Sequence, residues 1–582
     1  MGLGENGLSV HTIVGFLDHH ARAILVLLAL FFLGIETSYA VNRPLSVDEF
    51  NGAWSVAQLA TRTPYVDFEP YKPVLGYYVQ LALLCLARDT WHGYLAVRLG
   101  MVYLTGTVLL LGALRLQRIF RPGAACLAFA LMVVMTSLLE WAIEVRLDML
   151  TALFGFVSLI LLLNRRAGLA GTVAGLGFLT SQKGAMFALA GGIALLGCLV
   201  THRDRRWVRD VLVYGVCVVL PISLYVLYWS LVASFAKVWG PTFAQATQLR
   251  AMTTPPCSRT NLYQMYWAET LTRNSFYYLC ALWAMGSLLA MGGSRNPRQT
   301  MLLFYGGTVG VIMVSVRQPW PYSFVLLVPT VFVLLAEHFS RELERPASLL
   351  RQPVIWVAYG LFGLVLPLSE LPIVTQSDTG PQRQAIKLTE ALLGTEDRYF
   401  AGFQFLYRGD ANTHSLSTVD LNSAPPIQSL TAAQVAEILE RLQKEPIRVL
   451  LYTFKIDADV PTLIRKHLYR NYAPFWGNVW MYAPQVRPSD SEVNLLFTDV
   501  YSIEMDQPHP VLIDSQAYAP GATLALKRGR HTIATPARLR LKLRAAKVDH
   551  LLDPAYRKPV NFFWPSRGFI SYPASTGRWV DN

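Results

Sequence analysis

The chain has 582 residues, of which 53% are hydrophobic and only 15% are charged, and its formal net charge is +13 at pH 7. This apolar balance excludes an ordinary soluble protein, and the length exceeds that of a single typical domain. The positive charge does not indicate nucleic-acid binding, because the basic residues lie mostly in short loops between apolar stretches, where they orient a membrane protein.

The first apolar stretch covers residues 23–40 and ends in Ser38-Tyr39-Ala40, which imitates a signal-peptidase site. Because the positive region before it is weak and the stretch is long, we interpret it as a retained helix. Further apolar windows cover residues 94–114, 124–139, 147–163, 167–181, 185–201, 210–231, 275–292, 300–316, 321–337 and 353–372. Each is long enough, or nearly so, to cross a hydrocarbon core of about 30 Å.

One window, residues 74–87, is too short to span and suits an interfacial or re-entrant segment. If it does not span, the arginine-rich short loops all face the cytoplasm, as the positive-inside rule requires. These arginines are Arg115, Arg118, Arg121, Arg165, Arg166, Arg203, Arg205, Arg206, Arg209, Arg295, Arg298, Arg341, Arg345 and Arg351. The charge distribution therefore predicts a polytopic α-helical membrane protein with about eleven transmembrane helices plus juxtamembrane helices.

The opposite, outward loops carry most of the residues able to do chemistry. They contain acids, lysines and aromatic side chains at the ends of predicted helices, where charge near a membrane often marks a pathway or a site. The candidates are Asp48, Glu49, Tyr71, Lys72, Tyr77, Glu144, Arg146, Asp148, Lys183, Arg317 and Tyr322. Because all of these loops share one predicted side, we expect a site there, although a shared side does not establish contact.

Beyond residue 372 the chain becomes polar, and the same topology places it outside the cytoplasm. Residues 373–485 alternate helix and strand patterns, including an amphipathic helix at Ala432–Lys444 and a strand from Ile447, which predicts a small α/β domain. Residues 486–582 contain short strands separated by turn residues and predict a small β-rich, sandwich-like domain. Residues 1–372 are then the transmembrane domain.

The acid pair after the first helix, followed by Tyr71-Lys72-Pro73 before an aromatic segment, resembles the membrane glycosyltransferases of the C-type (GT-C) fold. These include the protein O-mannosyltransferases and the lipid A aminoarabinose transferases. Similar too are Arg146-Leu147-Asp148 and Lys183-Gly184, each of which opens a helix. The resemblance covers roughly residues 20–340. Val74 stands where the aminoarabinose transferases have a second proline, which leaves the sugar and the acceptor open.

The resemblance implies a polyprenyl-phosphate-linked sugar donor and transfer, with inversion, to a hydroxyl or phosphate of lipid A, a glycan or a protein. Asp48 would be the base, because a carboxylate can take a proton from a positioned hydroxyl, and Glu49 belongs to the same catalytic pair. Lys72 would bind the donor phosphate, with Arg146, Lys183 and Arg317 as further phosphate ligands.

Glu49 or Asp148 could orient a lysine or bind a divalent cation, the one cofactor considered. Substrate-binding candidates are Tyr71, Tyr77, Glu144, Asp148 and Tyr322. The expected location is the bacterial inner membrane, with the site and the C-terminal domains in the periplasm and with membrane lipids as further partners.

Each motif also has a purely structural interpretation. Asp48 and Glu49 could cap an external helix, Lys72 could be an interfacial anchor, and Tyr77 could belong to an aromatic belt. Glu144, Arg146 and Asp148 could form an ion pair at a helix start, and Lys183 could anchor a helix end.

Two rival functions remain at this stage. A lipid or sugar transporter would favour paired charges near mid-membrane and repeated halves, whereas here the charges lie at helix ends. A membrane-anchored assembly protein would work through its soluble tail and would tolerate substitution of Asp48 and Lys72.

Overall fold

The structure is a computed structural model that describes residues 10–244, 270–315, 321–345, 350, 352–369, 378–408, 431–453, 456, 460–505 and 507–558. The chain forms two compact units. The first contains residues up to Arg43, Ser55–Arg88 and His92–Ser377, and the second contains Pro44–Trp54, Asp89–Trp91 and the chain from Asp378 onward.

Most of the described residues before residue 378 lie in helices. Its helices are α1 Val10–Asn42, α2 Val47–Gln58, α3 Leu75–Leu84, α4 Thr90–Leu116, α5 Pro122–Val133, α6 Thr136–Trp141, α7 Asp148–Leu163, α8 Ala167–Thr180, α9 Ala185–His202, α10 Arg205–Val232, α11 Phe235–Trp239, α12 Ser275–Ala290, α13 Pro297–Ser315, α14 Val328–Glu344, α15 Pro353–Ala358 and α16 Leu366–Ser369. A π-helical stretch, Tyr359–Val365, joins the last two, and 3₁₀ turns at Gln182–Gly184 and Pro321–Leu326 precede α9 and α14.

Four of the described segments are long and apolar enough to cross a membrane, namely Val14–Asn42, Thr90–Leu116, Gln182–His202 and Arg205–Val232. Six shorter apolar helices of 10–17 residues accompany them. The predicted fold class, an integral membrane protein with many apolar helices followed by a C-terminal β-sheet region, is confirmed. The predicted number of eleven spans stays a prediction.

The helices follow the predicted apolar windows with two interruptions. The window 124–139 breaks near Val134, so that α5 and α6 are separate helices, and the window 321–337 begins as a 3₁₀ turn before α14. The short window became α3, whose 10 residues extend only about 15 Å at 1.5 Å per residue. That length is about half of a hydrocarbon core, as expected for a segment that does not span.

From Asp378 onward, the described part of the second unit contains three α-helices and three sheets, and the start of α2 belongs to this unit as well. Helices α17 Gly380–Leu392, α18 Ala432–Lys444 and α19 Thr462–Asn471 accompany a sheet of order β1-β2-β4-β3, formed by Arg398–Phe400, Ile447–Leu451, Val479–Tyr482 and Tyr472–Trp476. Strand β1 runs parallel to β2, and the other pairs are antiparallel. The bounds of the α/β domain predicted for residues 373–485 stay a prediction.

The described strands from Gln485 onward form two further four-stranded sheets. Their orders are β10-β7-β12-β5 and β6-β11-β8-β9, with β5 Gln485–Val486, β6 Glu492–Leu495, β7 Asp499–Met505, β8 Val511–Ile513, β9 Gln516–Tyr518, β10 Thr523–Leu526, β11 Gly529–Ala534 and β12 Leu539–Leu543. In β10 exposed and buried residues alternate, because successive side chains of a strand point to opposite faces and only one face is covered.

Candidate functional site

Five side chains of the first unit form a chain of alternating charge. Its links are Arg43 Nη2 to Glu144 Oε1 at 3.5 Å, Glu144 Oε2 to Arg146 Nε at 3.6 Å, Arg146 Nε to Asp148 Oδ2 at 3.2 Å, and Asp148 Oδ1 to Lys183 Nζ at 2.5 Å. Glu144 and Asp148 are almost completely buried, whereas 35% of the Lys183 side chain is exposed. The structure therefore brings together four of the residues predicted to form a site.

Lys183 is placed by the 3₁₀ turn between α8 and α9. The Ser181 hydroxyl accepts a hydrogen bond from the Lys183 backbone N–H at 3.4 Å, and the Lys183 ammonium also donates to Ser323 Oγ at 3.3 Å. Gly184 allows this turn to lie against α8, because a Cβ there would come within 2.3 Å of the Gly177 backbone. A larger residue at position 184 would displace the ammonium.

Tyr322 provides the aromatic face of this cluster. The guanidinium carbon of Arg146 lies 3.3 Å from the centre of the Tyr322 ring, and the Lys183 ammonium lies 4.8 Å from it. A ring face attracts cations, so Tyr322 stabilises both positive groups where they lie. Trp141 packs edge-on against Tyr322 at 6.1 Å and also lies 4.7 Å from the Arg43 guanidinium.

Lys72 is half-buried and belongs to the same neighbourhood, because its charge acts on the Asp148 carboxylate. The segment that carries it is held by hydroxyl groups. The Tyr225 hydroxyl accepts the Val74 backbone N–H at 3.0 Å and hydrogen-bonds the Tyr65 hydroxyl at 2.5 Å. Burial raises the pKa of Tyr65, so its phenol stays neutral and able to hydrogen-bond.

Of the tyrosines near Lys72, Tyr71 is exposed, whereas Tyr77 is buried within electrostatic reach of Asp148. Close packing brings α3 to the cluster, because a Cβ on Gly76 would lie 2.7 Å from Thr180. Gln80, also on α3, donates to the Arg146 carbonyl at 3.2 Å. Tyr71 is therefore the more accessible tyrosine of this pair.

The N-terminal ends of several helices converge on the cluster. Asp148 is the first residue of α7, which packs against the 3₁₀ turn before α9 and against the one before α14. The N-terminal end of a helix carries partial positive charge and exposed N–H groups, which favour anions. The carboxylate of Asp148, in the first turn of α7, is stabilised there.

The cluster carries more positive than negative charge. Arg43, Arg146 and Lys183 face the carboxylates of Glu144 and Asp148, and Lys72 adds further positive charge. Asp148 contacts Arg146 and Lys183, and Glu144 contacts Arg43 and Arg146, so cations contact both carboxylates. Within the described ranges, no three His, Cys, Asp or Glu side chains are grouped as metal ligands.

Asp48 and Glu49 belong to the second unit and differ from each other in environment. Glu49 is fully buried and its carboxylate accepts the Ser46 backbone N–H at 2.9 Å, while the Ser46 hydroxyl accepts the Glu49 N–H at 3.4 Å. This reciprocal arrangement is a capping box at the start of α2. Asp48, in the first turn of the same helix, is exposed.

Arg317, the remaining predicted phosphate ligand, lies outside the described residues. The structure adds residues that sequence reasoning did not select: Arg43, Ser323, Trp141 and Tyr225. Arg43 lies in a loop after α1, and Ser323 follows Tyr322, and no local motif marks either residue.

No protein-family model matches the chain, and no curated protein matches it. Among solved structures it is similar to ArnT from Cupriavidus metallidurans in the apo state, with 12% identity over 91% of this chain and 98% of that chain and a TM-score of 0.48. The same protein bound to undecaprenyl phosphate gives 12% identity over 91% and 99%, with a TM-score of 0.49.

The oligosaccharyltransferase from Archaeoglobus fulgidus, in complex with Zn and sulfate, gives 11% identity over 92% of this chain and 100% of that chain, with a TM-score of 0.45. Both of these proteins are membrane glycosyltransferases of the GT-C fold, the class that the sequence motifs resemble. The similarities are low in identity and in TM-score, so the functional proposal rests on the residues of the site.

Proposed function

We propose that this protein is an integral membrane glycosyltransferase that moves a sugar from a polyprenyl-phosphate carrier to an acceptor hydroxyl or phosphate on the extracytoplasmic face. The observation that carries the proposal is the partly exposed Lys183 ammonium, which is paired with Asp148 at the start of α7, while Arg146 contacts the same carboxylate and Lys72 acts on it electrostatically. This combination suits the phosphate of a lipid-linked donor.

Lys183 has the donors that a phosphate needs. An ammonium group carries three N–H donors, of which one points to Asp148 Oδ1 at 2.5 Å and one to Ser323 Oγ at 3.3 Å. The third can bind a phosphate oxygen. The side chain is 35% exposed, so a ligand can reach it without breaking the pair with Asp148.

The transfer step uses these charges when the donor bond breaks. The acceptor oxygen forms a bond to the anomeric carbon as a base takes its proton, and the bond from that carbon to the phosphate oxygen breaks. The electron pair stays on the polyprenyl phosphate, whose negative charge Lys183, Lys72 and Arg146 stabilise. A single displacement of this kind inverts the sugar carbon.

Asp48 is the base in this proposal. Its carboxylate is exposed in the first turn of α2, whereas the neighbouring Glu49 is committed to the capping box. Positioned general bases typically contribute about 10²- to 10⁴-fold to a rate. Stabilisation of the leaving phosphate supplies a further part of the acceleration.

The same proposal gives roles to the remaining groups. Tyr71, which is exposed, contacts the sugar or the acceptor, and Tyr322 holds the two cations in place. Acceptor candidates are lipid A, another glycan or a protein. The arginine distribution supports a site and a C-terminal unit on the periplasmic side of a bacterial inner membrane.

Transfer from a radiolabelled polyprenyl-phosphate sugar by the full-length protein in detergent tests the proposal. We expect Asp48→Asn and Lys72→Ala each to lower the rate by about 100-fold or more. We expect two control variants to keep the wild-type rate. Asp67→Asn changes another exposed acid between α2 and α3. Lys237→Ala removes an exposed lysine whose backbone N–H donates to the Ser234 hydroxyl, as the backbone N–H of Lys183 does to Ser181. Full transfer by both Asp48→Asn and Lys72→Ala would contradict the proposal and favour a transporter or an assembly protein.

A further inference from the structure

The start of α2, which carries Asp48, packs within the C-terminal unit. Pro44–Trp54 forms one compact unit with the chain from Asp378 onward. Phe50 is fully buried, with its ring 5.4 Å from that of Phe403 and 5.1 Å from that of Phe405. Residues that follow the membrane helices in the sequence therefore surround the segment on which the proposed base lies.

A single buried amide fixes the backbone just before this helix. Gln382, on α17, accepts the Leu45 N–H through Oε1 at 2.7 Å and donates through Nε2 to the Leu45 carbonyl at 2.8 Å. Gln382 and Leu45 are both fully buried, so water does not replace these bonds if they are lost. The side-chain amide of Gln382 thus pairs with the Leu45 backbone as a neighbouring β-strand would. Leu45 directly precedes Ser46, the N-cap residue of α2.

Helix α17 makes a second attachment to the N-terminal half of the chain. The Glu390 carboxylate accepts a hydrogen bond from the hydroxyl of Thr90, the first residue of α4, and the Tyr407 hydroxyl donates to the Asp89 carbonyl at 3.3 Å. Burial raises the pKa of Glu390, and the hydrogen bond from Thr90 opposes that rise. Through Gln382 and Glu390, α17 therefore contacts two segments distant from it in sequence, one at Leu45 and one at Thr90.

We infer that Gln382 is a positioning residue for transfer: its amide sets the place of the α2 start, and with it the Asp48 carboxylate. The inference rests on the proposed role of Asp48 as the base. It gives the C-terminal unit a part in the chemical step, because a reactive group displaced by about 1 Å can lose about 10²-fold in rate.

The test uses the full-length protein and a side chain of similar length that cannot form the two bonds. We expect Gln382→Met to lower kcat by about 10- to 100-fold and to leave the KM for the polyprenyl-phosphate sugar unchanged. Gln382→Glu keeps an acceptor for the Leu45 N–H, so we expect its kcat to lie between those of Gln382→Met and the wild type. If Gln382→Met does not fold, Gln382→Glu is the variant that tests the inference. Thr389→Ala is the matched control, because Thr389 is buried on the same helix and bonds only within it, to the Ala385 carbonyl at 2.7 Å.

A double-mutant cycle with Asp48→Asn separates positioning from a general structural effect. If Gln382 acts through Asp48, adding Gln382→Met to Asp48→Asn causes no further loss of the residual rate. The inference would be overturned if Gln382→Met lowered kcat by the same factor in the wild type and in Asp48→Asn, or if Gln382→Met alone left kcat unchanged. Neither result would contradict the proposed function. Wild-type transfer by Asp48→Asn would instead overturn the proposed base, and this inference with it.

Discussion

The Asp148 carboxylate is buried between Lys183 and Arg146, and its burial needs both partners. Removing an ionised carboxylate from water is costly unless cations and hydrogen bonds replace the water. Here two cations and the N-terminal end of α7 do so. Replacing the whole group with apolar side chains would often be neutral for stability, so stability alone does not account for the arrangement. A site for the donor phosphate, as proposed here, gives a functional reason for the buried charges.

Tyr322 provides a test of how the two cations are held. We expect Tyr322→Leu to lower transfer about tenfold, because it removes the ring face under Arg146 and Lys183 and each such contact contributes about 0.5–2 kcal/mol. Tyr322→Phe keeps the ring and is the matched control, with transfer close to wild type. Initial rates with the labelled donor measure both. Equal losses in the two variants would show that the hydroxyl, and not the ring face, carries the effect.

The two acids at the start of α2 lie in different environments. Residues Ser46 to Glu49 read Ser-Val-Asp-Glu, the signature of a capping box, and the structure forms that box with Glu49. A glutamine at this position caps as a glutamate does. We therefore expect Glu49→Gln to transfer sugar within about threefold of the wild-type rate.

Asp48→Asn in the same assay is the comparison, because it changes the neighbouring residue of the same helix turn. If Glu49→Gln were as slow as Asp48→Asn, the prediction that Glu49 acts only as a cap would be wrong, and both carboxylates would take part in the chemistry. A thermal melt of each variant separates a loss of stability from a loss of catalysis.

The sequence predicted the helices well and their contacts poorly, for a physical reason. Apolar windows and turn residues are local signals, so the bounds of α4, α7, α8 and α10 follow the predicted windows closely. The contact of Tyr322 with Arg146 and Lys183 joins segments far apart in the chain, and one sequence carries no local signal for it. For the same reason, the pairing of Leu45 with Gln382 could not be foreseen.

In the part of the chain that the structure describes, apolar helices come before a region of shorter helices and β-sheets, and this order could be predicted because it depends on composition and periodicity. Membrane sidedness depends instead on the loop arginines and on reading α3 as a segment that does not span. Both choices place the turn after α3 outside the cytoplasm.

Cys85 lies in that turn and is exposed, so it reports on sidedness. We expect a membrane-impermeant maleimide to label Cys85 in intact cells whose outer membrane admits the reagent, and peptide mass spectrometry to locate the label. Cys85→Ser loses that labelled peptide and is the control. Labelling of Cys85 only after the inner membrane is opened would contradict the predicted topology and the outward position of the site.

The most direct test is the binding of a polyprenyl monophosphate to the purified full-length protein, measured by native mass spectrometry or fluorescence titration. A charge-assisted hydrogen bond contributes about 1.5–3 kcal/mol, so Lys183→Ala should bind about 10- to 100-fold more weakly than wild type. Lys237→Ala should bind as the wild type does. Equal affinity of the wild type and Lys183→Ala would show that the ammonium held by Asp148 does not receive the lipid phosphate, and the proposed site would be wrong.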